Sequence, residues 1–114
     1  MKYHVRVLTR AQRDVDCILR WLAIERNSPQ GAARWLDAFE AASAKLVLNP
    51  YSYAPAHENE NVNYDLRQFP FKTRRGRTYR GLFTIVDNEI RILRVRGPGQ
   101  ASLQPDELAN EDVA

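Results

Sequence analysis

The residues in this chain best suited to chemistry are cations. Nine of its seventeen basic residues fall between Arg67 and Arg96: Arg67, Lys72, Arg74, Arg75, Arg77, Arg80, Arg91, Arg94 and Arg96. Within that stretch only Asp87 and Glu89 oppose them. Arginine and lysine at this density stabilise phosphate or carboxylate charge. In cleavage of RNA by its own 2′-OH, such cations hold the phosphate while a tyrosine, or a lysine of lowered pKa, moves protons. The same set can hold phosphates without catalysis. It can also bind an acidic protein segment. Composition leaves these three chemistries open. A plainer reading is that single arginines solvate the open face of an antiparallel sheet. That reading suits any one of them better than it suits the cluster.

Other chemistries find little support. His4 and His57 are far apart and lack paired ligand spacing, so neither a metal nor a cofactor is expected. There is no phosphate loop, no dinucleotide fingerprint and no serine elbow; Gly97-Pro98-Gly99 lacks the helix pattern such a motif needs. Cys17 is the one cysteine, so no internal disulfide forms, which fits a reducing compartment. Its place inside a helical pattern reads as packing. No run approaches the roughly 20 apolar residues of a membrane span, and the N-terminus lacks a secretory apolar core. A cytoplasmic protein without a membrane partner is expected. The chain has 114 residues and a net charge of +3, so one moderately basic domain is expected.

Periodicity supplies the elements that must carry the cations. Tyr3, Val5 and Val7 alternate with His4 and Arg6, which predicts a strand over residues 2–8. Thr9 with Gln12 has the form of a capping box for a helix running to about Arg26. Val15, Ile18, Leu19 and Leu22 form its stripe, with Trp21 on the flank. Ser28 and Pro29 suit the N-cap and first position of a second helix, which Asn49-Pro50 ends. Ala32, Trp35, Leu36, Phe39, Ala42 and Leu46 give that helix its apolar face. The short connection makes the two helices antiparallel neighbours.

Residues 50–63 read as a loop. Strands are predicted over 64–69, 77–86 and 89–96, with the basic connector 70–76 between the first two and a turn at Asp87-Asn88. Ile90, Ile92, Arg94 and Arg96 fall on one side of the last strand by strict alternation, and Arg91, Leu93 and Val95 on the other. Both sides are mixed, so a bulge or a sheet end near residue 93 is expected. The end of the chain is acidic, with Asp106, Glu107, Glu111 and Asp112. The expected fold is α+β in the order β-α-α-β-β-β: a small, mostly antiparallel sheet packed against an N-terminal two-helix hairpin. Residues 1–104 make the domain and 105–114 an acidic tail.

With its elements in place, the chain resembles the RelE/ParE superfamily of toxins from type II toxin–antitoxin pairs, the plasmid-stabilisation type. The resemblance covers about residues 3–104. It rests on Tyr3-x-Val5, Thr9-x-Ala11-x-x-Asp14, Ile18-x-x-Trp21-Leu22, and Ala33, Trp35 and Leu36 in the second helix. It continues through Leu66-Arg67, Thr78-Tyr79-Arg80-x-Leu82-Phe83-x-Ile85 and Ile90-Arg91-Ile92-Leu93-Arg94-Val95. The fragments are individually weak; their order and spacing carry the resemblance.

That resemblance implies a growth-inhibiting toxin neutralised by a cognate antitoxin. RelE-like members look like ribosome-dependent endoribonucleases acting on messenger RNA; ParE-like members poison DNA gyrase. Arg80 matches the arginine of the family's Tyr-Arg motif, and Arg67 that of its Leu-Arg motif. With Arg96 they are the catalytic candidates if the chain is RelE-like. Lys72, Arg74, Arg75, Arg77, Arg91 and Arg94 are binding candidates. The chain departs from the ribonuclease pattern after its last strand, where Gly97-Pro98-Gly99-Gln100 offers no histidine, arginine or tyrosine to donate a proton. Tyr79 adjoins Arg80 but points to the other face of its strand, in line with Phe83 and Ile85. The favoured reading is a ParE-like toxin acting on gyrase or another protein and not itself catalytic. Two alternatives stand beside it: a RelE-like ribonuclease working on the ribosome and messenger RNA, and a non-toxic module that binds RNA or protein.

Overall fold

The structure, a computed structural model, describes residues 2–108. Strand β1 (His4–Val7) leads into helix α1 (Thr9–Arg20). Leu8 occupies the N-cap position, one residue before the Thr9 expected there, and its own side chain makes no cap. The cause is the sheet: the Leu8 N–H donates to the Ile92 carbonyl at 2.9 Å, which carries strand pairing right up to the helix. Thr9 is already helical, and Gln12 Nε2 donates to Asp16 Oδ1 at 3.0 Å.

Where a continuous helix to Arg26 was expected, the chain widens into a π-helical turn over Trp21–Glu25. The Arg26 N–H reaches back to the Trp21 carbonyl at 3.0 Å. Asn27 then takes a left-handed φ of 50° and reverses the chain. Helix α2 (Pro29–Lys45) begins as its sequence indicates: Ser28 Oγ accepts from the Gly31 N–H at 3.1 Å and Pro29 fills the first turn. The 50–63 loop contains two short 3₁₀ turns, Pro50–Ser52 and His57–Asn61.

Strands β2 (Arg67–Phe71), β3 (Tyr79–Val86) and β4 (Glu89–Arg96) complete the sheet, β2 and β3 starting later than the sequence suggested. The order is β1-β4-β3-β2, with β1 and β4 parallel and the other pairs antiparallel. The mostly antiparallel α+β fold with a helix hairpin is therefore observed. Asp87 takes φ 56° in the β3–β4 turn. The expected irregularity is also present. Register steps from Leu82↔Arg94 to Phe83↔Ile92, leaving Leu93 as the extra residue.

The bulge sorts the mixed strand β4. Ile90, Ile92 and Val95 join the core beneath the helices with Trp35, Phe39, Phe69 and Phe83. Leu93 turns the other way and joins a second cluster with Leu66, Leu82, Leu103 and Leu108. Both faces of the sheet are thus covered. The helices cover one, and the irregular segments 56–66 and 101–108 cover the other. A sheet with one face open to water was the simpler expectation. Gly81 in β3 is required by a close approach: a Cβ there would lie 2.2 Å from Phe69 Cζ.

Of the acidic tail, Asp106 and Glu107 sit in a 3₁₀ turn (Pro105–Leu108) that closes over the far face, with Leu103 and Leu108 buried. Glu111 and Asp112 lie outside the described residues.

Candidate functional site

The catalytic candidates do not converge. By strand alternation Arg67 shares the helix side of the sheet with Phe69 and Phe71, while Arg80 and Arg96 face each other across β3 and β4 on the far side. Arg80 is spoken for. Its Nη1 and Nη2 donate to the two carboxylate oxygens of Glu58 at 2.9 and 2.6 Å, and Nη1 also reaches Gln68 Oε1 at 3.2 Å. Glu58 is completely buried and accepts a third bond, from the Leu103 N–H at 3.0 Å. Burial alone would raise its pKa. The Arg80 and Leu103 hydrogen bonds and the Arg80 charge outweigh that and bring it to about 2.

Other basic residues of the strands are equally engaged. Arg67 bonds Asp65 at 2.9 Å, donates to the Tyr51 and Tyr53 carbonyls at 3.0 and 2.7 Å, and lies over the Tyr51 ring. Arg94 forms a two-pronged pair with Asp14 on α1 at 2.8 and 3.0 Å and reaches the Glu107 carbonyl. Arg91 pairs with Glu89, whose carboxyl that hydrogen bond holds below its ordinary value. Arg96 donates to the Ala101 carbonyl at 2.7 Å, and its Nε is buried without a partner among the described residues. All of these but Arg91, whose partner lies on its own strand, tie the sheet to its coverings.

Cations without such partners gather elsewhere. A groove of about 1210 Å³ runs between the helix hairpin and the β2–β3 connector. Arg74, Arg75 and Arg77 supply one wall, and Arg26 and Arg34 come from the helix side. All five are exposed, and none has a carboxylate partner among the described residues. Among the described residues no aspartate or glutamate lines the groove. Lys72 is exposed on the same connector but does not line it.

Two aromatic features accompany this charge. The π-helical turn presents Trp21, 45% exposed, with the Arg26 guanidinium 5.5 Å from its ring centre. Such turns recur at functional sites because the wider winding re-aims a side chain. Trp35 sits in the groove wall, 3% exposed, and its Nε1–H has no acceptor among the described residues.

The groove can bind an anion; its means of moving a proton are poor. Its lining holds no histidine, lysine or carboxylate. Cys17, exposed at the groove where helix packing was expected, contributes a thiol, and Tyr79 a hydroxyl. Burial raises that pKa above the usual tyrosine value, and the nearby charges of Arg77 and Arg26 only partly offset this. Tyr79 also packs edge-on against Trp35, as a core aromatic in line with Phe83 should.

A family model described as the ParE toxin of the type II toxin-antitoxin system parDE matches residues 5–101. The chain belongs to the ParE toxin family. No curated protein matches it. The matched span contains both helices and, but for His4 at the start of β1, all four strands, and therefore both walls of the groove. Membership in the ParE family makes the chain a toxin of a toxin–antitoxin pair, with a cognate antitoxin as its implied partner. No helix of this toxin, among the described residues, is long and apolar enough to cross a membrane.

Sequence reasoning singled out Arg74, Arg75 and Arg77 but missed Arg26, Arg34 and the exposed Trp21. Arg26 lay at a helix end and Arg34 on a helix face, each an ordinary surface cation by sequence. Glu58 was also missed. In His57-Glu58-Asn59-Glu60-Asn61 nothing distinguishes the buried Glu58 from the exposed Glu60.

Proposed function

We propose that this toxin acts by binding its target and not by cutting RNA. DNA gyrase or another protein is the target, and a cognate antitoxin neutralises the toxin in the cytoplasm. The observation that carries this reading is the state of Arg80. The best match to the superfamily's functional arginine is held on two prongs by a buried glutamate, beneath the segment that Leu103 anchors. A cation so engaged is not free to stabilise a phosphorane. The groove adds free arginines but, as described, little that transfers a proton. Binding to a target needs neither.

The deciding experiment is to induce the protein in bacterial cells and pulse-label DNA and protein synthesis over the first minutes. DNA synthesis should fail first, with a DNA-damage response. Translation failing first would favour the ribonuclease alternative. Unimpeded growth would favour a non-toxic binding module.

A further inference from the structure

We infer that the groove between the helix hairpin and the β2–β3 connector binds single-stranded nucleic acid, with phosphates on its arginine walls and bases against its aromatic lining. The inference stands apart from the identity of the toxin's target.

Three independent features favour an anion there. Cations line both walls with no acid among the described lining residues: Arg74, Arg75 and Arg77 on one, Arg26 and Arg34 on the other. Arginine's planar fork suits phosphate oxygens. Helix α2, seventeen residues long, opens onto the groove through Ser28 and Gly31, and no acidic residue occupies its first turn. The positive end of the helix dipole therefore meets the Ser28 hydroxyl but no carboxylate. The third feature is the Trp35 Nε1–H, buried in the groove wall without an acceptor. A buried donor in this state gains a full hydrogen bond when a small shift of the wall admits an anionic oxygen.

The aromatic lining decides what sort of anion. Trp21 offers an exposed ring beside Arg26, a pairing on which an unpaired base can stack. Bases within a duplex are already stacked and offer no free ring face. A phosphodiester strand also carries a charge at every residue, so it meets both walls and the helix end together. An acidic peptide has charge only at some side-chain tips.

Fluorescence anisotropy with fluorescein-labelled dT12 and U12 tests this. Three to five phosphates on arginine predict a log–log salt slope of about −2 to −3.5, or roughly a 20- to 100-fold loss of affinity between 50 and 200 mM salt. Arg74→Ala with Arg75→Ala should weaken binding about tenfold or more. Arg34→Ala on the other wall should weaken it as a single change, and circular dichroism will verify that each variant is folded. Trp21→Ala should weaken binding without changing the salt slope. Arg13→Ala, an exposed arginine outside the groove, should leave it unchanged. A preference for dT12 or for U12 names the natural strand.

Absence of binding by the unaltered protein at 50 mM salt overturns the inference. So does an equal loss from Arg13→Ala, which would show only net charge at work. Tighter binding of a glutamate-rich 12-residue peptide, or of the dT12·dA12 duplex, also overturns it. Cleavage of U12 would instead overturn the non-catalytic reading of the toxin and leave strand binding in place.

Discussion

The Arg80 guanidinium and the Glu58 carboxylate form a two-pronged ion pair at 2.9 and 2.6 Å across the far face of the sheet, with Glu58 wholly out of water. The pair links strand β3 to the 57–61 turn. Through the Leu103 N–H it also fixes the closing segment 101–108. Breaking such a pair from one side leaves a buried charge without its partner and costs roughly 3–5 kcal/mol. Glu58→Ala should therefore lower stability by that order, read from the denaturant midpoint. Replacing both partners, as Glu58→Gln with Arg80→Met, should cost clearly less than the single changes added together.

The same double variant separates scaffold from working surface. If Arg80 serves the fold alone, the folded double variant should still arrest growth on induction. Loss of toxicity in a folded, soluble double variant would return Arg80 to the functional site and revive the ribonuclease reading.

The pair also sets an acid limit. Glu58 has its pKa lowered from 4.5 to about 2 in the folded protein. A depressed carboxyl contributes stability that is fully present above its unfolded value. That contribution fades as pH falls from about 4.5 toward 2, because the unfolded chain takes up the proton first. The amount is on the order of 3 kcal/mol. Urea midpoints measured across that window should fall steeply for the unaltered protein. Glu58→Gln should be less stable above the window and flatter through it.

Much of this architecture was legible because local chemistry and tertiary fold agree. Ser28-Pro29 caps a helix wherever it lies, and the periodicity of Ala32, Trp35 and Phe39 has one reading. The mixed faces of β4 pointed to a bulge or a sheet end near residue 93, and the register settles it as a bulge at Leu93. The layer over the far face was not legible. It is built from Leu66, Leu103 and Leu108, isolated apolar residues in irregular segments, where no periodicity marks burial. The pairing of Glu58 with Arg80 spans 22 positions and depends on that hidden layer. The groove had the same difficulty. Arg26 and Arg34 join Arg74, Arg75 and Arg77 only because the π-helical turn and the β2–β3 connector fold to the same end of the sheet.

Gly81 and Phe69 make a packing prediction. They are register partners, and the Phe69 ring occupies the space a side chain at 81 would need. Gly81→Ala should destabilise by about 1–3 kcal/mol through overpacking. Phe69→Leu removes the crowding atoms at a cavity cost of its own. Thermal midpoints should show Gly81→Ala to be less harmful in the Phe69→Leu background than in the unaltered chain.

Asp14 makes the last prediction. Strand β1 ends at Val7, so beyond Ile92 the edge of β4 has no strand beside it. Asp14 on α1 takes that place: its Oδ2 accepts from the Val95 N–H at 2.9 Å, and both oxygens hold Arg94. One carboxylate thus completes the ladder and neutralises a half-buried arginine. Asp14→Asn keeps an acceptor for Val95 but loses the charge, and Asp14→Ala loses both. Stability should fall in that order, by about 1–3 kcal/mol for Asp14→Ala, whose loss strands both donors. Hydrogen exchange at the Val95 amide should accelerate strongly in Asp14→Ala and only modestly in Asp14→Asn. Equal exchange in the two variants would mean that the ion pair with Arg94, and not the ladder bond, holds this edge.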